Sequence, residues 1–182
     1  MNQDLPDPPA NDVGGIVVLG QARPDPYPRT TDLADMLRRA SPPTRDFYAH
    51  WDGRRQGRVM PARADFDPLE MVAWLPGIQI LDVFHDPRRF RYRLVGEVEV
   101  ATRGFNPTGR WLEDGFIGVS REDVFINYNT VVDQKTMVYD WGEYPCGGGY
   151  LVSQETLFLP LSSNGELVDK VITFTTVKRL QE

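Results

Sequence analysis

Long apolar runs, cysteine and histidine are all scarce in this chain. The longest aliphatic stretch, GGIVVLG at residues 14–20, falls far short of the roughly 18 apolar residues that a membrane span requires. What precedes it is acidic and proline-rich rather than basic, so no secretory signal is read there and a cytoplasmic protein is expected. Cys146 is the only cysteine, which rules out an internal disulfide and any cysteine-based metal cluster. His50 and His85 are the only imidazoles, and neither a GxSxG elbow nor a GxGxxG or GxxxxGKS/T phosphate loop occurs. The acidic residues nearest to a cluster, Glu97, Glu99, Glu113, Asp114, Glu122 and Asp123, lack the loop spacing of a calcium or magnesium site, and placement at a helix start accounts for Glu122 and Asp123. No metal site and no catalytic residue is expected.

Positive charge is short as well. A formal net charge of -6 argues against nucleic acid as a partner, because that binding runs on neutralising phosphates with Lys and Arg. Cations are unevenly spread, and residues 31–60 are mildly basic: Arg38, Arg39, Arg45, Arg54, Arg55 and Arg58 stand among Asp32, Asp35, Asp46 and Asp52. That segment reads as a solvated helix face with local ion pairs, or else as a surface for a small anionic partner. Cys146, between Pro145 and the Gly147–Gly149 run, reads as a loop cysteine with no cation, base or helix terminus implied nearby to lower its pKa.

What the chain does have is 182 residues, a length for one domain with extensions. Residues 1–30 hold six prolines and four aspartates and few large apolar groups, the composition of a flexible leader; GGIVVLG within it is a candidate to pair with a sheet edge or a second chain. Residues 31–59 read as N-terminal helices. Thr31 or Asp32 caps the first, with Leu33, Met36 and Leu37 on one face. Thr44 caps the second, with Phe47, Tyr48 and Trp51 clustered and Gly53 and Gly57 ending it. In DFDPLEMVAWLPG, Asp67 caps a third helix, Pro68 fits its first position and Pro76-Gly77 stops it.

Strands follow from residue 78. IQILDVF and RFRYRLV (89–95) read as a hairpin about His85-Asp86-Pro87, with Phe90, Tyr92 and Leu94 on a buried face and Arg91 and Arg93 on the other. Those arginines are expected beneath the N-terminal helices or a second subunit. EVEVATRGF and WLEDGFIG suit short helical turns. SREDVFINYNTVVDQ reads as a longer helix: Ser120 and Asp123 resemble a capping box, and Val124, Phe125, Tyr128, Val131 and Val132 form its stripe. TMVYDWGEY, YLVSQETLFLPLS and ELVDKVITFTTVKRL complete the pattern, joined by a turn at PCGGG and a hairpin at Asn164-Gly165. The expected fold class is α+β: a five-stranded antiparallel sheet with a helical insertion between its second and third strands, packed on one face.

This order resembles the PAS domain, and Trp51, MPARADFDPLEM (60–71), LPGIQILDVF (75–84), RFRYRLVGEVEV (89–100), GFNPTGRWL (104–112) and LFLPLSSNGE (157–166) resemble the stand-alone proteobacterial group, the fifth PAS subfamily. The likeness covers residues 47–178, and residues 60–182 are read as the domain itself. Glu97 stands where that group commonly has Thr. The resemblance implies a sensory or interaction domain with an apolar pocket between sheet and helices, and no established catalytic residues. Haem would call for an axial ligand on the insertion, and His50 and His85 lie elsewhere. A photoactive flavin adduct would call for a cysteine where GFNPTGRWL has Pro107.

Tyr92, Arg103, Asn106, Phe125, Tyr128, Trp141 and Phe158 are the candidate pocket residues, the aromatic ones being equally readable as core. Phe174 is expected to point the same way. One expectation is a single-domain module without its own output domain, binding a small ligand, a signalling protein, or both, as a homodimer. The alternative is a ligand-free dimeric scaffold of the same fold, with an enzyme acting on a small apolar substrate behind both.

Overall fold

The structure is a computed structural model and describes residues 26–116, 120–145 and 151–180. The leader up to residue 25, GGIVVLG and the PCGGG turn with Cys146 lie outside the described residues, apart from Pro145. The elements run β1 (Arg29–Thr30), α1 (Leu33–Arg39), α2 (Pro42–Arg55), β2 (Ile78–His85), β3 (Arg88–Val95), α3 (Glu97–Arg103), α4 (Leu112–Gly115), α5 (Arg121–Gln134), β4 (Val138–Pro145), β5 (Leu151–Leu161) and β6 (Lys170–Arg179). All pairings are antiparallel, in one sheet of order β1-β4-β5-β6-β2-β3. The α+β architecture with a helical insertion after the first hairpin is therefore present. A sixth strand comes from Arg29–Thr30, residues that composition assigns to the leader. Arg29 pairs with Asp140 and Thr30 with Tyr139, so this short strand shields the backbone groups along the free edge of β4.

Local chemistry explains most boundaries. Asp32 caps α1 by accepting from the Asp35 N–H at 2.7 Å. α2 begins earlier than Thr44, at Pro42, with Ser41 in the cap position: proline tolerates a first helical turn, and Thr44 is drawn instead into a bond with Glu155. It also runs through Gly53 to Arg55 and ends where Gln56 turns left-handed. The expected third helix is replaced by 3₁₀ turns at Pro68–Met71 and Leu75–Gly77; two prolines within nine residues deny the run the N–H groups that a continuous α-helix needs. α5 forms as expected, Ser120 accepting from the Asp123 N–H at 3.1 Å, but the Asp123 carboxylate pairs with Arg29. The final hairpin is wider than Asn-Gly suggests. Asn164 Oδ1 accepts from the N–H groups of Glu166 and Leu167 at 2.9 and 3.0 Å, so its side chain organises a loop between Leu161 and Lys170.

Helices pack on both faces of the sheet, on the outer one only in part. On the outer face Phe47 of α2 meets Phe174 at 5.1 Å and Trp74 at 5.7 Å, and the Trp51 indole donates to the Pro160 carbonyl at 3.1 Å. Phe47 is fully buried, a burial contributing roughly 1.5–3 kcal/mol. Glu155 of β5 anchors the start of α2: it accepts from the Ser41 N–H and hydroxyl, from Thr44 Oγ1 at 2.6 Å, from Tyr139 OH at 2.6 Å and from Thr176 Oγ1 at 3.0 Å. Burial pushes this carboxyl up, and the bonds from Ser41, Thr44 and Tyr139 outweigh it, leaving it below its ordinary value. The inner face receives α3 and α5. Gly96, just before α3, comes so close to the Leu75 and Pro76 carbonyls that a Cβ would sit 2.4 and 2.3 Å from their oxygens, so only glycine releases the chain from the sheet there.

A bulge in β3 changes which side chains share a face. Ile80 pairs with Leu94 and Leu81 with Tyr92, leaving Arg93 as the extra residue. Phe90 and Tyr92 face inward as expected, but Leu94 joins Arg91 and Arg93 on the outer face. There Arg91 and Arg93 reach Asp82 at 3.6 and 3.9 Å with side chains 42% and 63% exposed. They are not covered by the N-terminal helices.

Candidate functional site

The inner face is built from strand residues of one parity. Phe158 lies opposite Thr173, and Thr173 opposite Gln79; one row along, Asp140 lies opposite Thr156 and Thr156 opposite Thr175. β3 adds Phe90 and Tyr92. From above, Tyr128 of α5 packs on Phe90 at 5.1 Å and edge-on to Phe158 at 5.2 Å, and Phe125 meets Phe90 at 6.2 Å. These rings form an aromatic wall beside a polar floor.

Two floor atoms are without partners. Gln79 Oε1 and Thr173 Oγ1 are buried and make no hydrogen bond among the described residues, although their residues are cross-strand neighbours only 5% and 0% exposed. A buried oxygen left unbonded costs roughly 1–3 kcal/mol, so the pair marks a place where a hydrogen-bond donor is wanted. Along the sequence, Gln79 reads as an ordinary strand residue. Only its pairing with Thr173, 94 positions away, gives it meaning.

A buried ion pair closes one side. Arg103 pairs with Glu99 one turn earlier on α3, both side chains 7% exposed, and also donates to the Gly115 carbonyl at 3.2 Å and the Glu99 carbonyl at 3.1 Å. Its guanidinium lies 5.5 Å from the centre of the Tyr92 ring. Burial raises the Tyr92 hydroxyl above its ordinary value, with Arg103 pulling the other way, and burial raises Tyr128 well above its own. Both phenols stay protonated donors near neutrality.

The opposite side is a clamp on β1. Arg29 donates to Asn127 Oδ1 at 2.8 Å, to the Asp123 carbonyl at 3.3 Å and to the Asp123 carboxylate. Asn127 Nδ2 donates to Asp140 Oδ2 at 2.7 Å, which Tyr27 OH also reaches at 3.3 Å. Burial pushes the Asp140 carboxyl up to about 7, against the lowering effects of Tyr27, Arg29, Asn127 and Thr156. A carboxyl shifted to neutrality beside an arginine and a helix is the kind of perturbation that concentrates at functional sites.

Five of the seven residues nominated from sequence, Tyr92, Arg103, Phe125, Tyr128 and Phe158, meet at this inner face. Two do not. Asn106 is exposed and folds its own turn, accepting from Thr108 N–H at 3.0 Å and Thr108 Oγ1 at 2.7 Å. Trp141 stands on the outer face, stacked on Tyr139 at 5.5 Å under Arg39 at 4.4 Å, because it is an odd number of residues from inward-facing Val138. Phe174 likewise faces α2. Gln79, Asp140 and Thr173 escaped the sequence reading, and Glu99 entered it only as one of a loose acidic group, since a polar residue in a strand or a short helix gives no local sign of being covered.

An antiparallel sheet whose inner face is roofed by a helical insertion, with a polar floor and aromatic wall between, defines a module of the sensory and signalling type. A family model described as a PAS domain matches residues 39–174, and the chain belongs to that family. No curated protein and no solved structure matches it. Among the described residues no helix is long and apolar enough to cross a membrane.

Proposed function

We propose that this PAS domain is a non-catalytic cytoplasmic sensor that binds a small molecule beneath its helical insertion and passes the occupied state to a separate protein. The observation that carries this reading is the unpartnered Gln79–Thr173 pair beside Tyr128 and Phe158. A ligand with an apolar body and a hydrogen-bond donor answers both features: the rings take the body, and Gln79 Oε1 and Thr173 Oγ1 accept from the donor. Such a ligand bears on α5, whose buried Asn127 and Asp123 hold β1 through Arg29. Occupancy of the inner face is thereby coupled to the edge of the sheet, where a partner protein would sense it.

The test uses the full chain and a Gln79→Leu/Thr173→Val variant. Native mass spectrometry of the purified protein should show a non-covalent adduct that the variant lacks. Without ligand the variant should melt higher, since two unsatisfied oxygens have been removed. An unchanged adduct, or a variant that melts lower, contradicts the proposal.

A second reading, a ligand-free dimeric scaffold, is favoured by exposed apolar side chains: Leu33 and Leu37, each 40% exposed on α1, and Leu69 and Val72 at 81% and 60%. Absence of any adduct together with a concentration-dependent dimer would select it.

A further inference from the structure

The outer face of the sheet is covered unevenly. α2 lies over β5 and β6 through Trp51 and Phe47, while the β2–β3 side carries a groove of about 530 Å³ lined by Arg63, Ile80, Arg93, Leu94 and Lys170. The bulge in β3 creates its character. By turning Arg93 and Leu94 to the same side, it sets a cation beside an apolar wall, with Ile80, 4% exposed, as the floor.

Charge in the groove is unbalanced. Asp82 lies 3.6, 3.7 and 3.9 Å from Arg91, Lys170 and Arg93, separations too long for hydrogen bonds. Lys170 also reaches Asp169 at 3.4 Å, and Arg63 donates to the Phe66 carbonyl at 3.0 Å. Among the described residues, the groove's lining carries three cations, Arg63, Arg93 and Lys170, and no anion; Asp82 and Asp169 beside them offset two, leaving an excess of one positive charge on a chain whose net charge is -6. The volume falls within the roughly 300–1,000 Å³ of small-molecule sites.

We propose that this groove is a second binding site, separate from the inner one, for a small organic anion with an aliphatic body. The anionic head sits among Arg63, Arg93 and Lys170, and the body lies over Ile80 and Leu94. A purely apolar floor would accept a neutral amphiphile equally well, and cations alone would accept inorganic phosphate. The two together select a molecule with both parts, the head being a carboxylate or a phosphate ester.

Titration calorimetry on the full chain tests this with octanoate and octyl phosphate, against octan-1-ol and inorganic phosphate. At least one anionic amphiphile should bind about tenfold or more tightly than both controls, and the two arms tell which head is preferred. Arg93→Gln/Lys170→Gln should weaken that binding by about tenfold or more, since each lost charge-assisted bond is a large fraction of such an affinity; Thr173→Val should leave it unchanged. Both changed side chains reach solvent, and a melting curve verifies the fold. Equal binding of octan-1-ol, no binding of either amphiphile, or binding lost in Thr173→Val but kept in the charge variant overturns the proposal.

Discussion

Replacing Asp140 with Asn should make the protein less sensitive to rising pH. In the folded chain this carboxyl is fully enclosed and pushed up to about 7 by burial, whereas its ordinary value is 3.8. The folded state therefore holds a proton across a range in which the unfolded chain has released it. Stability from this difference is present at low pH and is lost as pH rises through 7. Each pH unit between the two values removes about 1.36 kcal/mol, so moving from pH 5 to pH 8 should cost about 2.5 kcal/mol. For a domain of this size that corresponds to a melting temperature lower by about 5–10 °C. Asn keeps the shape and still accepts from Asn127 and Tyr27 but does not titrate, and the difference between the two proteins removes the contributions of all other groups. Denaturant unfolding at pH 5, 6, 7 and 8 measures it. Parallel pH dependences for wild type and Asp140→Asn would refute the reasoning; so would a wild type that gains stability relative to the variant as pH rises.

The Glu99–Arg103 pair should show a break-and-replace signature. Glu99→Gln leaves a buried guanidinium uncompensated and should cost about 3–5 kcal/mol, while Glu99→Leu/Arg103→Met removes both charges and should recover most of that loss in urea unfolding. Deleting residues 1–59 strips Phe47 and Trp51 from the outer face, removes β1 and deprives Glu155 of Ser41 and Thr44. Light scattering after size exclusion should show aggregation or a changed oligomer, and a stable, unaltered monomer would contradict this account.

Local patterns carry further for elements than for faces. The alternation of RFRYRLV identified β3, Ser120 marked the start of α5, and Pro68 and Pro76-Gly77 marked where a helix would start and stop, although the segment forms 3₁₀ turns instead of one helix. Each of these signals acts within a few residues, where backbone sterics and capping operate. Leu94 defeats the same reasoning, because a bulge depends on the partner strand and shifts parity for everything beyond it. Trp141 and Phe158 belong to neighbouring strands of similar composition, yet only Phe158 faces α5. Asn106 carries a polar group near the insertion and spends it on its own turn.

Periodicity and capping are local, and they suffice for the order of the strands β2 to β6, for α1, α2 and α5 and for the aromatic residues available to an inner wall, while the motifs carry the family resemblance. Assembly of the sheet and helices brings Gln79 and Thr173 together without hydrogen-bond partners among the described residues, draws Arg29 from the leader onto α5, and encloses Asp140 far enough to push its carboxyl up to about 7. Those outcomes depend on desolvation and on contacts across long stretches of chain. A side chain's burial is set by what covers it, and that is a property of the assembled sheet and helices, not of its neighbours in sequence.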